Sequence, residues 1–311
     1  MKSSKREDRA GGALLASIIG SLGVGLFRAW GSGSCRPGFP YLAGAPLLIA
    51  HRGGSALAPE NTLPAFRRAL EWWGADILEL DVQPTRDGHA VVFHDPTLAR
   101  TTGGSGAIAE LDLARVRELD AGYRFTPDGG RTYPFRGIGI RIPTLSEVLQ
   151  EFPAARVNIE IKDGRTQDAV LRAIRDAGAE RRVLIAGERA RDRRKLMKLG
   201  MPVSASAREL KLFVAQLRLG KVLIPPGVDA LQLPIRHNSQ LIPTRELVEV
   251  AHSWNLAVHV WTVDELSDMH LLLDNGVDGI ITDRPDRLAR VLVERSGRRP
   301  PPGAPDPAPV P

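Results

Sequence analysis

A chain of 311 residues, 43% of them hydrophobic, is long enough to bury the core of one α/β barrel of about 250 residues and still carry tails. Its net charge of +6, from 42 Lys and Arg against 36 Asp and Glu, suits anionic partners, but 5% aromatic residues and the lack of any nucleic-acid motif argue against nucleic acid as one of them. Cys35 is the only cysteine, which excludes an intrachain disulfide and a cysteine-based zinc site.

The chain opens with Lys2, Lys5, Arg6 and Arg9, followed by an apolar run at residues 13–27 (ALLASIIGSLGVGLF). A basic start before a short apolar run is the pattern of a signal peptide or a short membrane anchor. The run is shorter than the ~20 residues of a spanning helix. More cations precede it than follow it, which predicts an N-terminus inside and the remaining chain across the membrane. The expectation is membrane contact through residues 13–27, with the protein anchored or exported rather than cytoplasmic. The Gly31-Ser32-Gly33-Ser34 stretch before Cys35 lacks the apolar residue that a lipoprotein cleavage signal requires. Residues 32–45 are rich in Gly and Pro and read as a linker. Residues 1–45 are thus expected to stand apart from a catalytic domain at 46–295. The proline-rich end, 296–311, is expected to be extended or disordered.

Between the tails, strand-like runs alternate with helix-like ones. The strand candidates are residues 47–50, 76–82, 90–93, 156–161, 182–186, 202–205, 230–233, 257–262 and 279–282. Helical stretches fall at 63–73, 145–151, 168–176, 191–199, 208–219, 244–254 and 265–274. Thr62 and Asp264 are suited to cap helix N-termini, and Gly178, Gly200 and Gly276 to end helices. Such alternation means a parallel sheet, open or closed. It breaks twice. Only residues 83–89 separate the second and third strands, too few for a crossover helix. Residues 101–143 then form a Gly-rich excursion with one short helix near 112–119. Tyr123, Phe125, Tyr133 and Phe135 within it serve either a substrate pocket or the excursion's own small core.

The chemistry-bearing residues sit at strand ends. Alternate side chains of a strand share a face, so Glu79 and Asp81 point one way and Leu78, Leu80 and Val82 the other. Glu160 and Lys162 repeat the pattern. Hard carboxylate oxygens suit Mg²⁺ or Ca²⁺; two acids on one strand face are equally compatible with plain solvated charge. His51 and His94 follow apolar runs, where an imidazole can act as general acid or base. Arg52 has the planar fork that grips phosphate.

HRGGSALAPENT at 51–62 and LELDVQPTRDGHAVVFHDPTLARTT at 78–102, together with LDAGYRF, IPTLSEVL, NIEIK, VHVWTVDE and GVDGIITDRPDRL, resemble the glycerophosphodiester phosphodiesterase family. The resemblance spans residues 47–293. It implies an α/β fold, a TIM (β/α)8 barrel with a small insertion after the third strand. It also implies one divalent cation, Mg²⁺ or Ca²⁺, and hydrolysis of a glycerophosphodiester to glycerol 3-phosphate and an alcohol. By motif, His51 and His94 match the general acid/base pair, and Glu79, Asp81 and Glu160 the metal ligands. Arg52 and Lys162 match the phosphate contacts, Glu60 and Asn61 the active-site pair of the PENT motif, and Trp261 the aromatic of a WTVN motif. The chain departs from the family at Ala186-Gly187-Glu188, where Ser-Ser-Phe is common, and at Asp264, where Asn is usual. Both departures bear on the leaving alcohol rather than on the reaction. A lysophospholipid substrate at a membrane surface, and a barrel that binds phospholipid without turnover, are the competing readings.

Overall fold

The computed structural model describes residues 40–237 and 240–303. The apolar run at 13–27 lies outside the described residues. The strands are β1 (Leu47–Ala50), β2 (Ile77–Pro84), β3 (Ala90–Val92), β4 (Arg156–Ile161), β5 (Val183–Ala186), β6 (Ala230–Pro234), β7 (Arg236–His237), β8 (Gln240–Leu241), β9 (Ala257–Trp261) and β10 (Gly279–Thr282). The helices are α1 (Leu63–Glu71), α2 (Leu113–Val116), α3 (Leu145–Glu151), α4 (Gln167–Asp176), α5 (Arg194–Met197), α6 (Ala207–Arg218), α7 (Arg245–Ser253), α8 (Leu266–Asn275) and α9 (Pro285–Ser296).

Seven strands pair in parallel in the order β5-β4-β2-β1-β10-β9-β6. The residues expected as a strand at 202–205 close the ring. Val203 bridges Ile185 of β5 and Ser204 bridges Ala230 of β6, both in parallel. Nine strand candidates for eight places resolve at β3, which pairs antiparallel with β2 and lies outside the ring. A short link leaves it no other option, because a parallel neighbour needs a crossover. The fold is a TIM barrel, with its insertion leaving after β3.

Three aspartates fasten the barrel at the ends where its strands begin. Asp76, Asp229 and Asp278 each precede a strand by one residue. Each donates its own N–H to a residue of the neighbouring strand and accepts that residue's N–H in return. The carboxylates of Asp76, Asp229 and Asp278 take the amides of Leu48 at 2.8 Å, Val203 at 2.9 Å and Val258 at 2.7 Å. The return bonds, to Leu48 O, Val203 O and Val258 O, are each 2.9 Å.

The linker expected at 32–45 ends inside the fold. Tyr41 is 2% exposed and packs with Leu47, Ile49, Ile77, Leu184 and Ala230, closing the N-terminal mouth of the barrel. Arg156, first residue of β4, donates to Tyr41 O and Ala43 O. The start of the proline-rich tail is likewise held: Arg298 bonds Asp76 and Pro46 O, and the Gly303 amide bonds Trp72 O. Residues 304–311 lie outside the described residues.

Other differences are local. The helix expected at 191–199 is a tight turn (Ala190–Arg193) followed by α5. Arg193 leaves helical geometry there, at φ −121° and ψ 5°, as its fully buried guanidinium reaches Glu209. Helix α9 opens with Pro285 and follows a signal, proline at the first helical position, that the pattern of apolar spacing passed over. Thr62 caps α1 as expected, but Asp264 does not cap α8; its carboxylate accepts from Thr282 Oγ1 and the Asp283 amide instead. In the insertion, Phe135 is buried with Val91, Leu98, Ile108 and Ile142, and Phe125 meets it edge to face at 5.1 Å. Tyr123 and Tyr133 stack on Arg136. All four aromatics therefore serve the insertion's own core and surface.

The aspartate clamps make a stability prediction. Asp229→Ala leaves the buried Val203 amide without its side-chain acceptor and is expected to cost about 1–3 kcal/mol, read by denaturant unfolding. An unchanged midpoint would show that the clamp contributes nothing.

Candidate active site

β1 delivers His51 and Arg52 on a turn that ordinary side chains resist. Arg52 sits at φ 51°, in the left-handed region, and Gly53 follows at φ 85°. A Cβ on Gly53 would lie 2.8 Å from Ala65 Cβ, so only glycine lets the turn pack on α1. The turn is fastened to the site itself, because the Arg52 amide donates to Glu79 Oε2 at 2.9 Å. Asn61, also left-handed at φ 59°, donates through Nδ2 to Asp81 Oδ2 at 2.9 Å.

Glu79 and Asp81 alternate along β2, and the parallel register sets Asp81 beside Glu160 of β4. Glu79, Asp81 and Glu160 can each offer an oxygen such that all three lie within 4.8 Å of one another. Glu79 and Asp81 are 3% and 1% exposed. Lys162 Nζ answers the crowding at 3.0 Å from Asp81 Oδ1 and 2.8 Å from Glu160 Oε1. Arg52 Nε lies 3.2 Å from Asp81 Oδ2, and its Nη1 donates to Glu60 at 3.0 Å.

The compensation is uneven. Burial, then the charges of Asp81 and Glu160, push the Glu79 carboxyl up to about 7. Burial also opposes ionisation of Asp81, but Lys162 and Arg52 outweigh it and hold that carboxyl below its usual range. The same carboxylates raise Lys162 against the effect of its burial. A cluster of hard oxygens with one acid short of positive charge fits a small divalent cation.

Both imidazoles are aimed by carboxylates. His51 Nδ1 donates to Asp283 Oδ1 at 2.6 Å, leaving Nε2 facing the acids, 4.0 Å from Glu79 Oε2. Burial lowers the His51 pKa, but the Asp283 hydrogen bond and the nearby negative charge more than reverse this, and the net shift is upward. His94 Nδ1 pairs with Asp95 Oδ1 at 2.6 Å, and its carbonyl accepts from Gln83. Arg100 bridges Asp95 and Glu60, so one cation braces the carboxylates behind both His94 and Arg52.

These groups surround a cavity of about 440 Å³ at the C-terminal ends of the strands. His51, Arg52, Glu79, His94, Glu160, Lys162 and Trp261 line it, with Trp261 44% exposed. Asp81 and Asn61 are buried behind that wall, and Glu60 is held between Arg52 and Arg100. Of the two departures from the resemblance, Ala186, Gly187 and Glu188 reach the cavity, whereas Asp264 is engaged in fixing the end of β10. The sequence reading missed Asp283, Asp95 and Arg100 as positioning residues. For Asp95 the signal was its place next to His94; for Asp283 it was an acid directly after β10, the strand beside β1.

A closed α/β barrel with an acidic triad, two carboxylate-backed imidazoles and an arginine–lysine pair defines a hydrolase acting on phosphodiesters. Comparison with known proteins names the branch. The sequence profile of the glycerophosphoryl diester phosphodiesterase family matches residues 51–287. A glycerophosphodiester phosphodiesterase of Caldanaerobacter subterraneus is 38% identical over 81% of this chain and 99% of its own length. One from Bacillus subtilis is 31% identical over 89% of this chain and 97% of its own. A crystal structure of a protein assigned as a glycerophosphoryl diester phosphodiesterase in Silicibacter pomeroyi covers 83% of this chain and 99% of its own, with TM-score 0.67 and 28% identity. The chain belongs to the glycerophosphoryl diester phosphodiesterase family.

The Asp283–His51 pair yields a pH prediction. Its hydrogen bond favours the protonated ring, so Asp283→Asn is expected to move the His51 titration to lower pH, and the matching limb of the kcat/KM profile with it. Imidazole NMR signals follow the shift directly. A His51 titration that stays in place would remove Asp283 from this role.

Proposed function

We propose that this enzyme hydrolyses water-soluble glycerophosphodiesters to glycerol 3-phosphate and an alcohol, with one Mg²⁺ or Ca²⁺ held by Glu79, Asp81 and Glu160. The observation that carries the metal assignment is the triad, three carboxylates within 4.8 Å of which one is pushed to about 7 by burial and by the charges of its neighbours. When bound, the cation supplies neutralisation of charge on the phosphoryl oxygens. Arg52 and Lys162 on the cavity wall add to that neutralisation and orient the phosphate. His51 and His94 share the proton work through their free Nε2 atoms. One takes a proton from the attacking group, water or the substrate's own 2-hydroxyl, and the other gives one to the leaving alcohol. Asp283 and Asp95 hold the rings so that these nitrogens face the cavity. Trp261, with the wall formed by Ala186, Gly187 and Glu188, borders the space for the alcohol.

The test is release of glycerol 3-phosphate from several glycerophosphodiesters and from lysophosphatidylcholine, with and without chelator. Turnover is expected to vanish in chelator and return with Mg²⁺ or Ca²⁺; full activity after exhaustive chelation overturns the metal assignment. Turnover confined to lysophosphatidylcholine would favour the membrane-lipid reading. His51→Ala and His94→Ala are each expected to lower kcat by about 10²-fold or more with folding intact. Near-normal kcat in either would return that histidine to a structural role.

Glu79 links the cation to stability. In chelator the folded carboxyl ionises near 7 and the unfolded one near 4.5. Between those values the folded state keeps a proton that the unfolded state has lost, so stability falls as pH rises through the window and levels off above it. A cation replaces that proton, so the Tm gain from Mg²⁺ or Ca²⁺ is expected to grow between about pH 5 and pH 8. A gain independent of pH would place the cation elsewhere.

We also infer that the segment at 13–27 anchors the chain to a membrane or directs its export. The support is its basic start and apolar run. Among the described residues no helix is long and apolar enough to cross a membrane. The full chain is expected to fractionate with membranes or outside the cytoplasm, and recovery in the soluble cytoplasmic fraction would overturn this.

A further inference from the structure

The outer surface of α6 and the loop after it carries a feature that catalysis does not use. Leu212, Leu219, Leu223 and Ile224 are 54%, 83%, 65% and 70% exposed, the most exposed large hydrophobic residues among those described. Scattered exposed leucines need no explanation, but these are assembled. Gln216 lies one turn beyond Leu212 and three residues before Leu219, on the same helical stripe. Its Oε1 accepts the amides of Leu223 and Ile224 at 3.0 Å, and its Nε2 donates to Ile224 O at 2.9 Å. The loop is thus strapped to the helix with its aliphatic side chains outward, while Val222 beside them is 1% exposed.

The charges around the stripe are one-sided. Arg208, Lys211, Arg218 and Lys221 are exposed, and none has an ion-pair partner among the described residues. Between residues 194 and 228 the single acid is Glu209, which is engaged with Arg193 and the Ser206 cap. We propose that this face docks the barrel on an anionic phospholipid bilayer, with the leucines and isoleucine among the acyl chains and the cations on lipid phosphates. A second copy is a poor occupant, because a symmetric contact would press the same uncompensated cations together.

The course of the chain points the same way. The loop after α6 leads into the start of β6, at the end of the barrel that Tyr41 closes. Residues 1–39, with their basic start and apolar run, therefore join the barrel at the end where the patch lies. Docking there turns the catalytic cavity, at the opposite strand ends, away from the lipid and toward water-soluble diesters. The docking inference stands independently of the reading of that cavity.

The test uses the full chain with Cys35→Ser and a single new cysteine carrying an environment-sensitive fluorophore. Ile224→Cys reports on the patch, and Ser105→Cys, exposed on the insertion, serves as control. Each is mixed with phosphatidylcholine vesicles with and without phosphatidylglycerol. Access of a water-soluble quencher at 224 is expected to fall about threefold or more with phosphatidylglycerol present, and to stay unchanged at 105. Lys211→Gln/Arg218→Gln/Lys221→Gln is expected to abolish that protection while release of glycerol 3-phosphate from a soluble diester continues. Unchanged quenching at 224 overturns the proposal, whether or not the chain binds through its N-terminus. Protection that appears without vesicles as protein concentration rises would assign the face to a second copy, and equal protection on phosphatidylcholine alone would remove the role of charge.

Discussion

Three carboxylates forced within 4.8 Å of one another are the constraint around which this end of the barrel is arranged. Bare, they would repel, and burial would deepen the cost. The fold meets part of it with two cations delivered from different strands, Arg52 from the end of β1 and Lys162 from the end of β4. Both lean on Asp81 and hold its carboxyl low, while burial and the charge of Asp81, with less cation opposing them, push Glu79 to about 7. The difference between neighbouring acids leaves a seat for a further positive charge on the Glu79 side, facing the cavity and His51.

Meeting that constraint requires backbone strain. Arg52 and Asn61 both occupy the left-handed region, an uncommon place for a residue with a Cβ. In each case a bond to an acid of the site accompanies the conformation: the Arg52 amide to Glu79, the Asn61 side chain to Asp81. Strain of this kind persists only where the surroundings over-determine it. Here Gly53 packs without a Cβ against α1, and Thr62 starts that helix directly after Asn61. The HRGG and PENT segments are thus two ends of one device that presses a cation and an amide onto β2.

Much of this was legible in the sequence because strands impose a period of two. Glu79, Asp81, Glu160 and Lys162 were placed on common faces by counting, and the register between β2 and β4 then brought them together. Relations between distant segments were not legible. Asp283 lies 232 residues from the histidine it orients, and only the pairing of β1 with β10 makes them neighbours. The barrel's closure was hidden for a related reason. The run at 202–205 is held by two isolated bridges, whereas the better strand by composition, β3, pairs antiparallel outside the ring. Local pattern reports how a segment folds, and the topology decides whom it meets.

The two ends of the barrel use carboxylates in opposite ways. Where the strands begin, Asp76, Asp229 and Asp278 stand apart from one another and each accepts a strand amide that contributes to closure, with Arg298 also on Asp76 and His252 on Asp278. Where the strands end, acids stand together and are met by side chains that also line a cavity. A lone acid shared between a strand amide and a surface cation serves closure, whereas acids gathered around Lys162 and Arg52 at a cavity can exchange part of those contacts for a ligand. The chemistry is therefore confined to the end where the acids gather, and the parallel register of β2 and β4 keeps them close while the clamps hold the opposite end shut.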